Sequence, residues 1–135
     1  MRLRVLADST IPIYEQIVSQ VVFAIAAGDV SSGELVPSVR DLSQQLLVNP
    51  NTVARAFQEL ERAGILESRR GLGMAVTAEA PKLCAGRRKE IVRGHVRDAL
   101  RAAAAAGLSA PDVHELVDDE WPRLAPRNGR AESSR

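Results

Sequence analysis

The chain has 135 residues, 45% of them hydrophobic and 26% charged, with a formal net charge of +1. That length allows one ordinary core and one small appendage, and the near-zero charge gives no global basic field of the kind that gathers nucleic acid. Cys84 is the single cysteine, which excludes an intrachain disulfide, and with only the widely separated His95 and His114 it forms no recognisable zinc site.

Aromatic residues make up 3% of the chain, so the core must be built from Leu, Ile, Val and Ala, a composition that suits helices. The start, Met1-Arg2-Leu3-Arg4-Val5, lacks the apolar run of a signal peptide, and no later run approaches membrane-spanning length. A cytoplasmic protein with no membrane partner is the expectation.

Residues 1–10 read as a lead-in. Asp8-Ser9-Thr10 offers capping side chains, and Pro12 suits a first helical turn. Ile13, Ile17, Val21 and Ala24 recur at helical spacing, with Glu15, Gln16 and Gln20 on the other side, and Gly28 ends this helix. Residues 29–37 form a loop or a short edge strand. Ser38 caps a second helix that turns Val39, Leu42 and Leu46 inward. Leu47-Val48 is a tight turn, Asn49 an N-cap and Pro50 the first residue of a third helix that stops at Gly64. Ile65 to Ser68 and Met74 to Thr77 read as two short strands around the tip Arg70-Gly71-Leu72-Gly73. Residues 78–81 are a linker, 82–107 a long helix closed by Gly107, and Ser109 caps a last helix. Residues 126–135 are polar and are expected to be disordered.

On a helical wheel of the third helix, Val53, Phe57 and Leu60 fall together, and Asn51, Arg55, Gln58 and Arg62 fall opposite, flanked by Thr52 and Glu59. After a helix and a tight turn, such a polar face is placed to enter a major groove. Asn and Gln can pair bidentately with adenine and Arg with guanine. Arg40 sits in the first turn of the second helix, where the helix dipole disfavours a cation by about 0.3–1 kcal/mol unless a phosphate lies nearby. At the hairpin tip, Gly71 and Gly73 allow a tight turn from which Arg69 and Arg70 can reach a minor groove. Taken singly, each of these features is usually only a cap or a turn. Their order is that of a winged helix-turn-helix.

These residues together resemble the GntR family of bacterial transcription regulators. The resemblance runs from Pro12-Ile13-Tyr14-Glu15-Gln16-Ile17 through Gly33-Glu34-Leu35-Val36-Pro37-Ser38-Val39-Arg40 and Val48 to Arg55, then Glu59-Leu60-Glu61 and the glycine tip. The form Asn49-Pro50-Asn51-Thr52-Val53 looks like the YtrA subfamily, whose C-terminal region is short and helical. The resemblance implies a dimeric repressor, often of a nearby transporter operon. By position it carries DNA contacts over to Ser38, Arg40, Asn49, Asn51, Thr52, Arg55 and Gly71. Two departures stand out. Leu47 occupies a turn position where relatives often have glycine, which costs about 1–2 kcal/mol if the backbone there is left-handed. Leu35 stands where a basic residue is common.

The fold class expected is mainly α with a small β-hairpin. A winged helix-turn-helix over 8–77 is followed by a two-helix dimerisation region over 82–125. That second region is too short for an ordinary ligand-binding domain. Its apolar positions Ile91, Val96, Leu100, Val113, Leu116, Val117, Trp121 and Leu124 are best covered by a second copy of the chain. Lys82 to Arg101 carries seven basic residues and Asp112 to Glu120 five acidic ones, so the two helices should lie near each other, within or between subunits. The basic face is equally well read as solvated, and a third reading lays it on DNA beside the wing.

The DNA-binding set is thus Ser38, Arg40, Asn49, Asn51, Thr52, Arg55, Gln58, Arg69, Arg70, Gly71 and Gly73. The expected partners are double-stranded DNA and a second subunit. An unknown small-molecule effector is left open, seated at the subunit interface or between wing and long helix. No catalytic set, metal or cofactor is expected. The competing reading is a winged-helix module that binds protein instead of DNA.

Overall fold

The structure, a computed structural model, describes residues 1–124, so the tail expected at 126–135 lies outside the described residues. The elements are α1 (Ile13–Ala26), α2 (Val39–Leu46), α3 (Pro50–Arg62), β1 (Leu66–Arg69), β2 (Gly73–Val76), α4 (Ala80–Ala105) and α5 (Ala110–Leu124). The chain divides into two units, residues 1–92 and the residues from 93 on.

The first unit is built on one apolar cluster. Ile17, Val21, Val22 and Ile25 enter it from α1, Leu42 from α2, and Val53, Ala56, Phe57 and Leu60 from α3, on one face of each long helix. Ile65, Leu66 and Val76 close it from the hairpin, and Ala80 and Cys84 from the start of α4. Each fully buried Leu, Ile or Val contributes about 1.5–3 kcal/mol relative to exposure. Eight-residue α2 is too short to persist alone in water, so its anchor is Leu42, which is wholly buried.

The lead-in is part of this unit. Met1, Leu3 and Val5 pack against the core while Arg2 and Arg4 face outward, so side chains alternate along the segment, which is neither helix nor strand. Gln16 and Gln20 hold it. The Gln16 amide accepts from Leu6 N–H (2.8 Å) and donates to the carbonyls of Leu6 (3.0 Å) and Ile11 (2.8 Å). Gln20 makes the same two-way pairing with the backbone of Arg4. The match is geometric: four helical residues advance about 6 Å and two residues of extended chain about 6.6 Å. Gln16, expected on the polar side of α1, is therefore buried. The capping expectation also fails here. Pro12 is the N-cap residue with no side-chain cap, and Ser9 Oγ instead accepts from Ile11 N–H at 3.1 Å, one turn earlier.

The hairpin pairs Leu66 with Val76, Glu67 with Ala75, Ser68 with Met74 and Arg69 with Gly73. The segment before α2 meets it through one isolated β-bridge and flanking hydrogen bonds, without forming a strand. Leu35 bridges Ala75, Gly33 N–H donates to Val76 O (2.8 Å) and Val36 N–H to Met74 O (2.9 Å). At the base of the hairpin, Thr77 Oγ1 donates to Gly64 O at 2.6 Å. Ala80 N–H then donates to Thr77 O, and α4 begins inside the span expected as a linker because Ala80 is drawn wholly into the core.

Gly64 ends α3 with φ 80°. Its N–H donates to Glu61 O and that of Ile65 to Leu60 O, so two otherwise orphan carbonyls are satisfied as the chain turns into β1. Leu47 does the same work for α2 in the left-handed conformation, φ 56° and ψ 45°.

The second unit is the later part of α4 with α5. Ser109 Oγ accepts from Asp112 N–H (3.3 Å) and Asp112 Oδ2 accepts from Ser109 N–H (2.9 Å), a reciprocal cap that starts α5. Hydrogen bonding to the carboxyl from Ser109, first from its backbone N–H and then from its side chain, holds Asp112 below its ordinary pKa. No residue of α5 is buried. A groove of about 440 Å³ is lined by Val96, Leu100, Ala103, Val113 and Val117 among others.

Candidate nucleic-acid interface

The buried back of α3 dictates what its front presents. Val53, Ala56, Phe57 and Leu60 fix the rotation of the helix, so Asn51, Arg55 and Gln58 are exposed and Thr52 is half-buried at the edge. The helix begins sharply. Asn49 Oδ1 accepts from Asn51 N–H at 2.8 Å, and Pro50 follows at the first helical position, where no N–H is needed. The cap uses the amide oxygen and leaves the Asn49 amino group to donate. Ser38 is arranged in the same way. Its Oγ accepts from Asp41 N–H at 3.0 Å, and its own hydroxyl proton remains available to a phosphate. Arg40, in the first turn of α2, is exposed.

Arg55 carries a contact that sequence reasoning missed. Its guanidinium lies over the Tyr14 ring, 3.7 Å from the centroid. A cation–π contact at an exposed site is worth about 0.5–1 kcal/mol, enough to favour one rotamer. The face of the guanidinium is covered while its edges keep their donors. Wheel position alone could not reveal this, because Tyr14 belongs to α1.

At the tip of the wing, Arg69, Arg70, Gly71 and Gly73 are all exposed. Gly71 has φ 77°, which a side chain would strain. Arg69 forms an ion pair with Glu67 at 3.4 Å. Exposed pairs of this kind contribute about 0–1 kcal/mol, so a phosphate can displace the carboxylate. Arg62, at the far end of α3, pairs with Glu59 at 3.0 Å. That carboxylate leaves the last turn of α3 a poor place for DNA, and the first two turns carry the cationic and amide donors.

Residues 13–76 match the family described as "Bacterial regulatory proteins, gntR family". The HTH-type transcriptional repressor YtrA of Bacillus subtilis (strain 168) is 33% identical over 82% of this chain and 85% of its own length. The chain belongs to the GntR family. Its relatives are transcriptional regulators and not enzymes. A GntR family transcriptional regulator from Listeria monocytogenes superposes with a TM-score of 0.65 at 29% identity, covering 83% of this chain and 97% of that one. The DNA-binding domain of AraR, solved with an operator, superposes with a TM-score of 0.52 at 27% identity, over 57% of this chain and 99% of its own. The GntR winged helix-turn-helix is therefore the fold of the first unit, and this chain is a DNA-binding regulator.

The positions outside the interface take other places in the GntR chain. Ile91, expected at a dimer seam, packs half-buried against the core of the first unit, because α4 begins in that core. Val96, Leu100, Leu116, Val117, Trp121 and Leu124 are exposed and Val113 is half-buried. Cys84 is wholly buried, and burial raises its thiol pKa against a smaller opposing effect of Arg87. A redox sensor needs the opposite shift. No helix among the described residues is long and apolar enough to cross a membrane.

Proposed function

We propose that this protein is a cytoplasmic homodimeric repressor that binds a two-fold symmetric operator, with a nearby transporter operon as the first place to seek its target. The observation that carries the reading is the first two turns of α3, whose exposed Asn51, Arg55 and Gln58, with half-buried Thr52 at the edge, lie over a buried apolar back. Asn49 and Ser38, each with a donor left after capping, flank that face and suit phosphates. The repressor assignment is supported by the likeness to YtrA, and the AraR DNA-binding domain solved with an operator supports operator binding by this domain.

The dimer reading is supported by the second unit. Its apolar groove and exposed Trp121 (64%) and Leu124 (75%) have no cover within the described residues of that unit. A second copy brings the same apolar stripe together with opposite charge, basic from α4 and acidic from α5. Ser38, Arg40, Asn49, Asn51, Thr52, Arg55, Gln58, Arg69, Arg70, Gly71 and Gly73 form the DNA-binding set. Val96, Leu100, Val113, Leu116, Val117, Trp121 and Leu124 form the subunit seam.

Fluorescence anisotropy against the gene's own upstream duplex and a scrambled duplex, over a salt series, tests the reading. Selective binding with a steep salt slope is expected, the slope counting phosphate contacts. Equal, weak binding to both duplexes would remove the operator reading.

A further inference from the structure

We propose that Leu47, in the turn between α2 and α3, is a DNA-contacting residue whose side chain packs on apolar carbon of the duplex, a thymine methyl or a neighbouring deoxyribose. The inference rests on the DNA-binding reading above and adds to it a contact that is apolar.

Among the described residues Leu47 is the only one other than glycine with a positive φ. After α1, α3 and α4 the corresponding left-handed place is held by Gly28, Gly64 and Gly107, with φ of 85°, 80° and 82°. Leu47 strains the backbone at such a position because its Cβ crowds the following carbonyl. Nothing within the fold compensates. Its side chain is 91% exposed, the most exposed of the large hydrophobic residues, and takes no part in the core. Strain of this kind, kept at an exposed residue, points to a contact made outside the chain.

The position of the residue selects the contact. Asn49, the cap of α3, is two residues away, within about 7 Å along the backbone. Asn51 and Thr52 follow directly. From Leu42 to Gln58 the chain has no Asp or Glu, so the surface around the turn does not repel phosphate. Leucine offers no hydrogen bond to a base edge. On a duplex it can meet the thymine C5-methyl in the major groove or the sugar carbons of the backbone.

The full chain is first used to select a duplex from a random-sequence pool, and Leu47→Gly, Leu47→Asn and Asn51→Ala are then compared on it. Glycine and asparagine both accept the left-handed backbone. Leu47→Gly is expected to raise Tm by a few degrees and to weaken binding about tenfold, the effect of losing a partly buried leucine. Leu47→Asn should lose affinity in the same way without loss of Tm. Stability and affinity moving in opposite directions is a result that a purely structural residue does not give. Wild-type affinity in both Leu47 variants, with Asn51→Ala weakened, overturns this inference alone. If the wild-type chain selects no duplex, the DNA-binding reading falls and this inference with it. A duplex with uracil in place of thymine separates the two carbon sources: loss of the leucine's advantage assigns the methyl, and its retention assigns the sugar.

Discussion

The two units differ in what they bury. In the first, three helices, a hairpin and the start of α4 enclose a core in which Ile17, Val21, Val22, Leu42, Val53, Leu60, Ile65, Ala75 and Val76 are fully out of solvent. In the second, α5 has no buried residue and its largest side chains are exposed. Both sequences are amphipathic, yet only one closes a core within a single chain. Helices and a hairpin packed around one cluster can cover their apolar faces, whereas two helices leave their outer stripes bare. The difference teaches that the first unit closes its own core, whereas the second leaves apolar surface uncovered among the described residues, the feature on which the proposed dimer rests.

The largest test of this contrast is Leu60→Ala. The side chain is fully buried at the centre of the first unit. Its truncation should lower unfolding stability by about 2–5 kcal/mol, read by chemical denaturation, at any protein concentration. Val117→Asp probes the other side. It should leave the first unit folded, turn a dimer into a monomer in sedimentation, and weaken operator binding about a hundredfold through lost avidity. A Val117→Asp chain that still sediments as a dimer would refute the seam.

Smaller effects are expected within the interface. Arg55→Ala and Asn51→Ala should each lose about 1–3 kcal/mol of binding at one base position. Arg40→Ala should weaken all duplexes alike and reduce the salt slope by about 1. None of these should change Tm by much, since all three side chains are exposed. Tyr14→Leu should cost about 0.5–1 kcal/mol of binding if the ring orients Arg55, and nothing further once Arg55 is already Ala.

The smallest effect concerns the start of α5. Folding lowers the Asp112 pKa through its hydrogen bonds to Ser109, so the cap contributes at neutral pH and is lost as pH falls through the folded pKa. Circular dichroism should show helicity declining on acidification in the wild type. Asp112→Asn should remove that part of the decline.

Much of the first unit was readable from local chemistry. Ser38, Asn49-Pro50 and Gly64 mark helix ends through hydrogen bonds made within a few residues, and the observed caps use those side chains and that glycine. The face of α3 followed from helical period alone, because Val53, Phe57 and Leu60 can only be buried together. The expectations that failed depended on distant partners. Gln16 looked like a surface residue until the lead-in segment came to lie against it. Ile91, expected at the seam, also packs half-buried against the core of the first unit, because α4 starts inside that core. Tyr14 gave no signal at all, since its contact is with a residue 41 positions along the chain.

The sequence by itself therefore determined the helices, the caps of α2 and α3, the wing and the polar face of α3, because each is set by periodicity and by hydrogen bonds of short reach. Tertiary structure alone decided which polar side chains are buried, which arginine is stacked, and that a leucine stands strained and bare in the turn. Those outcomes depend on surfaces brought together from far apart, and only the packed chain can say which surface meets which.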